Sequence, residues 1–146
     1  MRKMTILLSI ILFSSVSIMA QTNSKDVSDA ELAKFAEAYK EVQTISQESQ
    51  QEMIEIVKEE GLEVQRFNTI MKSQQNNEQG IQVSDAELEK VQAINGQLKE
   101  IDTETNKKLQ KSIANNDLTV ARYQEIMASL QSDQQLQMKL QQHLQN

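Results

Sequence analysis

The hexapeptide Val27-Ser28-Asp29-Ala30-Glu31-Leu32 returns unchanged as Val83-Ser84-Asp85-Ala86-Glu87-Leu88, 56 residues later. Held at that offset, the match runs on without a gap. Lys34 meets Lys90, Ile45 meets Ile101, and Glu48 meets Glu104. Further along, Leu62, Val64 and Arg66 meet Leu118, Val120 and Arg122, Phe67 meets Tyr123, and Ile70-Met71 meets Ile126-Met127. An ungapped match from Val27 to Gln79 reads as a duplication, with copies at 27–79 and 83–135. Whatever one copy folds into, the other must fold into as well, so the fold is expected to be a pair of equivalent supersecondary units.

Each copy opens with a helix start. Ser28 as N-cap and Glu31 three residues on form a capping box, while Val27 and Leu32 flank it as a hydrophobic staple. Ser84, Glu87, Val83 and Leu88 repeat the device. Apolar residues then recur at spacings of three and four or their sums. In the first copy they are Leu32, Phe35, Tyr39, Val42, Met53, Ile56 and Val57. In the second they are Leu88, Val91, Ile94, Leu98, Ile101, Leu109 and Ile113. This is one apolar stripe along a helix, which from Ser28 to about Glu60 would be about 50 Å long. Gly61 and its counterpart Asp117, both tolerant of left-handed backbone, are the expected stops. A shorter helix follows in each copy. Thr119 is a good cap for the second, with Leu118 and Tyr123 as its staple; Glu63 is a weaker cap for the first, with Leu62 and Phe67.

Both stripes turn polar halfway, at Ser46 and Ser49 in the first copy and Asp102 and Thr105 in the second. A polar layer on the buried seam that fixes register is the favoured reading, and a small polar pocket is the alternative. Asn95-Gly96 is ordinarily a turn signal, but the repeat aligns it with Tyr39-Lys40 inside a helix, so the helix is kept, with a local bend allowed. Gln74–Gln82 is the linker between copies. Ser132-Asp133 looks like a cap for a final glutamine-rich helix carrying Leu136, Leu140 and Leu144, as a last core strut or a contact for a partner. The predicted fold is all-α: two tandem hairpins, each a long and a short helix, packed as a pseudo-symmetric helical bundle with a short C-terminal helix. If the long helices run antiparallel, Leu32, Phe35 and Tyr39 face residues such as Leu109 and Ile113.

Composition agrees. The chain has 146 residues, no proline, no cysteine, no tryptophan and three glycines, which suits helices built on Leu, Ile, Val, Met and Ala. Residues 1–20 read as a signal peptide. Arg2 and Lys3 supply the basic start, Thr5 to Met19 the apolar run, and Ile18-Met19-Ala20 the cleavage site, with Gln21 as the new N-terminus. Residues 21–146 are then expected to form one domain, exported to the periplasm or the medium. Without cysteine there is neither a disulfide nor the attachment point of a bacterial lipid anchor, so no stable membrane anchor is expected after cleavage. Removal of Arg2 and Lys3 from 15 basic residues leaves 13 against 21 acidic ones. An acidic body repels phosphate backbones, which makes nucleic acid a poor partner.

The segment from Val27 to Tyr39, Val-Ser-Asp-Ala-Glu-Leu-x-Lys-Phe-Ala-x-Ala-Tyr, resembles the exported bacterial family catalogued as domain of unknown function 4168. So do Glu60-Gly61-Leu62-x-Val64-x-Arg66-Phe67-Asn68-x-Ile70 and Leu118-Thr119-Val120-x-Arg122-Tyr123-x-x-Ile126-Met127. The resemblance covers about Val27 to Gln142 and departs at Val91–Gln97, where the alanine-rich aromatic stretch is lost. It implies an extracytoplasmic helical protein and no particular activity.

The sequence nominates no catalytic, cofactor-binding or metal-ligating residue. His143 is the single histidine, and no Glu-x-x-His or His-x-x-x-His pair, glycine-rich phosphate loop or Gly-x-Ser-x-Gly elbow occurs. The expectation is a non-catalytic interaction or structural protein of the cell envelope, with a protein as partner, a second copy of the chain included. The alternative is a periplasmic chaperone of the Spy type. Those proteins carry paired Leu-Thr-x-x-Gln motifs, against which Leu118-Thr119-Val120-Ala121-Arg122 has arginine for glutamine and Leu62-Glu63-Val64-Gln65-Arg66 matches less well. Their cradle is basic, whereas this chain is acidic.

Overall fold

The computed structural model describes residues 27–76 and 81–145. The leader assigned to residues 1–20, its cleavage at Gln21 and the middle of the linker lie outside the described residues. Within them the chain is all-α, with five helices: α1 (Asp29–Glu59), α2 (Val64–Asn76), α3 (Asp85–Asn115), α4 (Val120–Ser132) and α5 (Gln134–Gln145). Adding 56 to both ends of α1 and of α2 gives the ends of α3 and α4.

The helix ends show why the offset is so well kept. The Glu31 N–H donates to Ser28 Oγ at 3.2 Å. In the second copy the box closes both ways: the Glu87 N–H donates to Ser84 Oγ at 3.3 Å, and the Ser84 N–H to the Glu87 carboxylate at 2.9 Å. Each such bond satisfies an amide that the helix itself leaves open. At the other end, Gly61 and Asp117 sit at φ of 69° and 56°. The Leu62 N–H reaches back to the Val57 carbonyl at 3.1 Å and the Leu118 N–H to that of Ile113 at 3.2 Å. The Gly61 N–H bonds Lys58, and that of Asp117 bonds Ala114. This is the Schellman closure, complete with its apolar contact, since Val57–Leu62 and Ile113–Leu118 each share a core. Lys90 Nζ donates to the Gly61 carbonyl at 3.0 Å, and its counterpart Lys34 pairs with Asp117 at 3.1 Å.

The chain divides into two compact units, and each draws on both copies. The first takes residues up to Gln43 and from Leu109 onward, and the second takes Thr44–Lys108. The core of the second consists of Val57, Leu62, Phe67, Ile70, Val91 and Ile94. Their counterparts are Ile113, Leu118, Tyr123, Ile126, Phe35 and Ala38, and all six lie in the core of the first, which adds Leu32, Leu130 and Leu136. The meeting of Leu32 and Phe35 with Ile113 is thus present, with Tyr39 packed against the same cluster. Within the first unit Lys34 reaches Asp117 and Glu41 reaches Ser112. Within the second, Ser49 reaches Thr105 and Glu60 reaches Gln97. As the α1 number rises the α3 number falls, so the two helices run antiparallel in each unit.

Two expectations need adjusting. Asp102, assigned to the buried seam, is exposed, while Ile101 and Thr105 are buried. A carboxylate is far costlier to desolvate than a hydroxyl, so the seam is filled by the residues on either side. The stripes also omitted Ala36 and Ala38, both buried, since alanine is too weak an apolar signal to count in a periodicity. Asn95-Gly96 leaves α3 unbroken, and a Cβ on Gly96 would meet nothing within 4 Å. Replacing Gly96 with alanine is therefore expected to stabilise the protein by about 0.5–1 kcal/mol, the usual helix-interior difference. Urea unfolding of the two proteins checks this, and an unchanged or lower midpoint would refute it.

Candidate functional site

The side chains with chemical capacity gather where the short helices begin. In the first unit Leu118 is buried, and Thr119 Oγ1 caps α4 by accepting the Arg122 N–H at 3.1 Å. The Arg122 guanidinium then turns across to α1. Its Nε and Nη2 donate to the two oxygens of Glu31 at 2.7 and 2.8 Å, and its Nη1 donates to Glu125 at 2.9 Å. The second unit repeats this geometry. Arg66 Nε and Nη2 donate to the two oxygens of Glu87 at 2.7 and 3.0 Å, and Nη2 also meets the Gln82 carbonyl at 2.7 Å. A forked arginine on a carboxylate fixes orientation as well as distance. Each fork ties the first turn of a short helix to the first turn of the other copy's long helix.

The electrostatics follow from these bonds. Donating to Glu31 and Glu125 raises the pKa of Arg122 further, as donating to Glu87 does for Arg66. Glu87 is held down from an ordinary 4.5 to about 2, first by the hydrogen bond from Arg66, then by those from the backbone and hydroxyl of Ser84. A carboxyl group whose folded pKa is depressed binds protons more readily in the unfolded chain. Its stabilisation is therefore complete above about pH 4.5 and fades as pH falls toward 2. The pair is partly solvated, which makes the effect modest. Glu87→Gln is expected to lower stability at neutral pH and to flatten the decline of the urea midpoint between those two pH values. A decline as steep as the native one would rule out this role for Glu87.

Two further polar pairs also link helices. Thr105 Oγ1 donates to Ser49 Oγ at 2.9 Å with both residues buried. These are counterparts of one another, so the polar layer is in part a residue meeting its own equivalent. Ser46, the other α1 residue assigned to the layer, is half-buried. Ser112 Oγ donates to Glu41 at 2.6 Å. Burial pushes the Tyr123 phenol up to about 12, so it stays protonated at physiological pH. His143 Nε2 lies 3.3 Å from Asp29 Oδ1. Among the described residues no group of three or more His, Cys, Asp or Glu side chains is placed to hold a metal ion, and no helix is long and apolar enough to cross a membrane. Leu136 is buried and Leu140 packs on the same core, which makes α5 a core strut, and exposed large apolar side chains on this surface are Met127 and Met138.

The two arginine–glutamate forks were not nominated from the sequence. A signal was there: Glu31, Glu87, Arg66 and Arg122 are identities kept at the repeat offset, and charged identities kept in both copies are candidates for pairing.

Two equivalent cores, each with an arginine that forks onto the other copy's long helix, define a helical repeat protein. The chain belongs to the family described as domain of unknown function DUF4168, which matches residues 13–83 and again residues 79–140, one match for each copy. No curated protein and no solved structure matches it.

Proposed function

We propose that this is an exported bacterial protein that works without catalysis, through protein contacts in the cell envelope. The observation that carries this reading is the use made of its chemically capable side chains. Arg66, Arg122 and Thr119 are all engaged in holding helix ends. What is left to meet other molecules is the outer surface of the helices, the geometry suited to reversible helix-mediated contacts. Export is supported by the basic, apolar and small-residue succession of residues 1–20. Protein recovered from outside the cytoplasm is expected to begin at Gln21 on N-terminal sequencing, and recovery with Met1 intact in a membrane fraction would overturn that part. Cross-linking in intact cells is expected to give a few discrete adducts, and the interaction reading fails if none forms.

The chaperone reading has one observation in its favour. Met127 is 36% exposed and Met138 59% exposed, and methionine adapts to varied apolar surfaces. It would replace the first reading if purified protein suppressed aggregation of unrelated unfolded clients and cross-linked to many of them. Against it stands Arg122, which occupies the glutamine place of the Leu-Thr-x-x-Gln pattern and is committed to Glu31.

A further inference from the structure

We propose that α5 exchanges between two copies of the chain, each lending its α5 to the other's first unit, with Asp133 as the hinge. The helices are asymmetric: α1 to α4 form two equivalent pairs, whereas α5 has no counterpart at the repeat offset. The core of the second unit has no such helix, and the first packs Leu136 and Leu140 of α5 into a core where three side chains are larger than their counterparts. Phe35 stands where the second unit has Val91, Tyr39 where it has Asn95, and Leu130 where it has Gln74.

The joint between α4 and α5 is a single residue. The Asp133 N–H still donates to the Ser129 carbonyl at 3.0 Å, the last rung of α4, and its own carbonyl already accepts the Gln137 N–H at 3.1 Å, the first rung of α5. Only the extended backbone of Asp133 itself, φ −112° and ψ 101°, separates the two ladders. Its carboxylate stands in for the missing rungs by accepting the N–H groups of Gln135 and Leu136 at 2.9 and 3.0 Å. If Asp133 turns helical, those two amides pass to the carbonyls of Gln131 and Ser132, and the Gln134 amide passes to that of Leu130. Side-chain bonds are traded for backbone bonds, so straightening carries little hydrogen-bond penalty.

The straight helix keeps its apolar face, because at about 100° per residue Leu140 and Leu144 stay in line with Ile126. It does carry Leu136, Leu140 and Leu144 away from their own seat. A second copy opened in the same way offers an identical vacant seat, and exchange restores the packing of Leu136 and Leu140 on the core, while the bonds at the hinge stay traded for backbone ones. Exchange of an identical element is a low-cost route to a dimer for this reason. Between Gln134 and Gln145 the ionisable side chains are Lys139 and His143 alone, so charge repulsion does not oppose two α5 helices crossing over.

The chain has no cysteine, which makes the test clean. Asp29 and His143 approach to 3.3 Å across the α5 seat. A D29C/H143C protein treated with a short bis-maleimide when dilute is expected to cross-link within one chain. Adding Asp133→Ala removes the cap and favours the helical hinge. Protein that keeps native helicity by circular dichroism should then scatter light as a dimer and run at twice the chain mass on a denaturing gel after cross-linking. A Gly-Gly-Ser insertion after Asp133 should restore the single-chain product. A monomer with only single-chain product, even at millimolar concentration, would overturn the proposal. So would a dimer whose cross-links all stay within one chain. If Asp133→Ala unfolds the protein, D29C/H143C with the native hinge at millimolar concentration decides in the same way: two-chain product supports exchange and its absence refutes it.

Discussion

Divided into residues 21–79 and 80–146, the chain is expected to give two fragments that are each unfolded alone and become helical together. The division separates the copies but passes through both cores. In the first unit it parts Leu32, Phe35 and Ala38 from Ile113, Leu118, Tyr123 and Ile126. In the second it parts Val57, Leu62, Phe67 and Ile70 from Val91 and Ile94. It also parts both arginine forks from their glutamates. A chain of about 60 residues is marginal even when its core is intact, and an isolated helix draws most of its stability from packing. Circular dichroism of each fragment and of the mixture measures the outcome. The recovered helicity should rise with concentration, as for any association. A fragment that melted alone as cooperatively as residues 21–146 would mean that a single copy can close a core.

Phe35→Ala is expected to be the most damaging single substitution in the first unit, at about 3–5 kcal/mol. The side chain is fully buried. Its ring centroid lies 4.8 Å from that of Tyr123 and 6.0 Å from that of Tyr39, so truncation removes two aromatic contacts along with the buried area. Helix propensity works in the opposite direction, since alanine is the better helix former, but by less than 1 kcal/mol. Cavity formation therefore decides the sign. Val91→Ala at the counterpart position removes a smaller side chain and should cost less. Urea denaturation of both variants gives the ranking, and a loss below about 1 kcal/mol for Phe35→Ala would contradict the assigned core, where large-to-small changes cost more.

The parts of the fold that could be read from the sequence are those written in local chemistry. Ser28 and Ser84, Gly61 and Asp117, and Thr119 mark their helix ends because capping and left-handed backbone each need particular residue types within a few positions. Tyr39 and Phe35 show their face through spacing alone. Asp102 was misplaced because periodicity assigns a face to every fourth residue or so and takes no account of what desolvation costs each side chain. The forks of Arg66 on Glu87 and Arg122 on Glu31 span 21 and 91 residues of sequence. No local rule reaches that far. Only the repeat does, by keeping both partners twice.

The bond between Ser49 and Thr105 joins a position to its own equivalent. Self-encounter of that kind is the mark of an isologous contact, the form that two separate identical chains make about a two-fold axis. Each core, moreover, needs a long-helix end and a short helix from one copy and a long-helix beginning from the other. One copy on its own would have only half of two cores, and two free copies would have to find each other at whatever concentration the compartment supplied. Joined in tandem, they meet at an effective concentration set by the length of the connecting segment and not by the number of molecules. In a compartment where protein is dilute, the short stretch between α2 and α3 thus does the work of abundance: it makes folding independent of how many molecules are present.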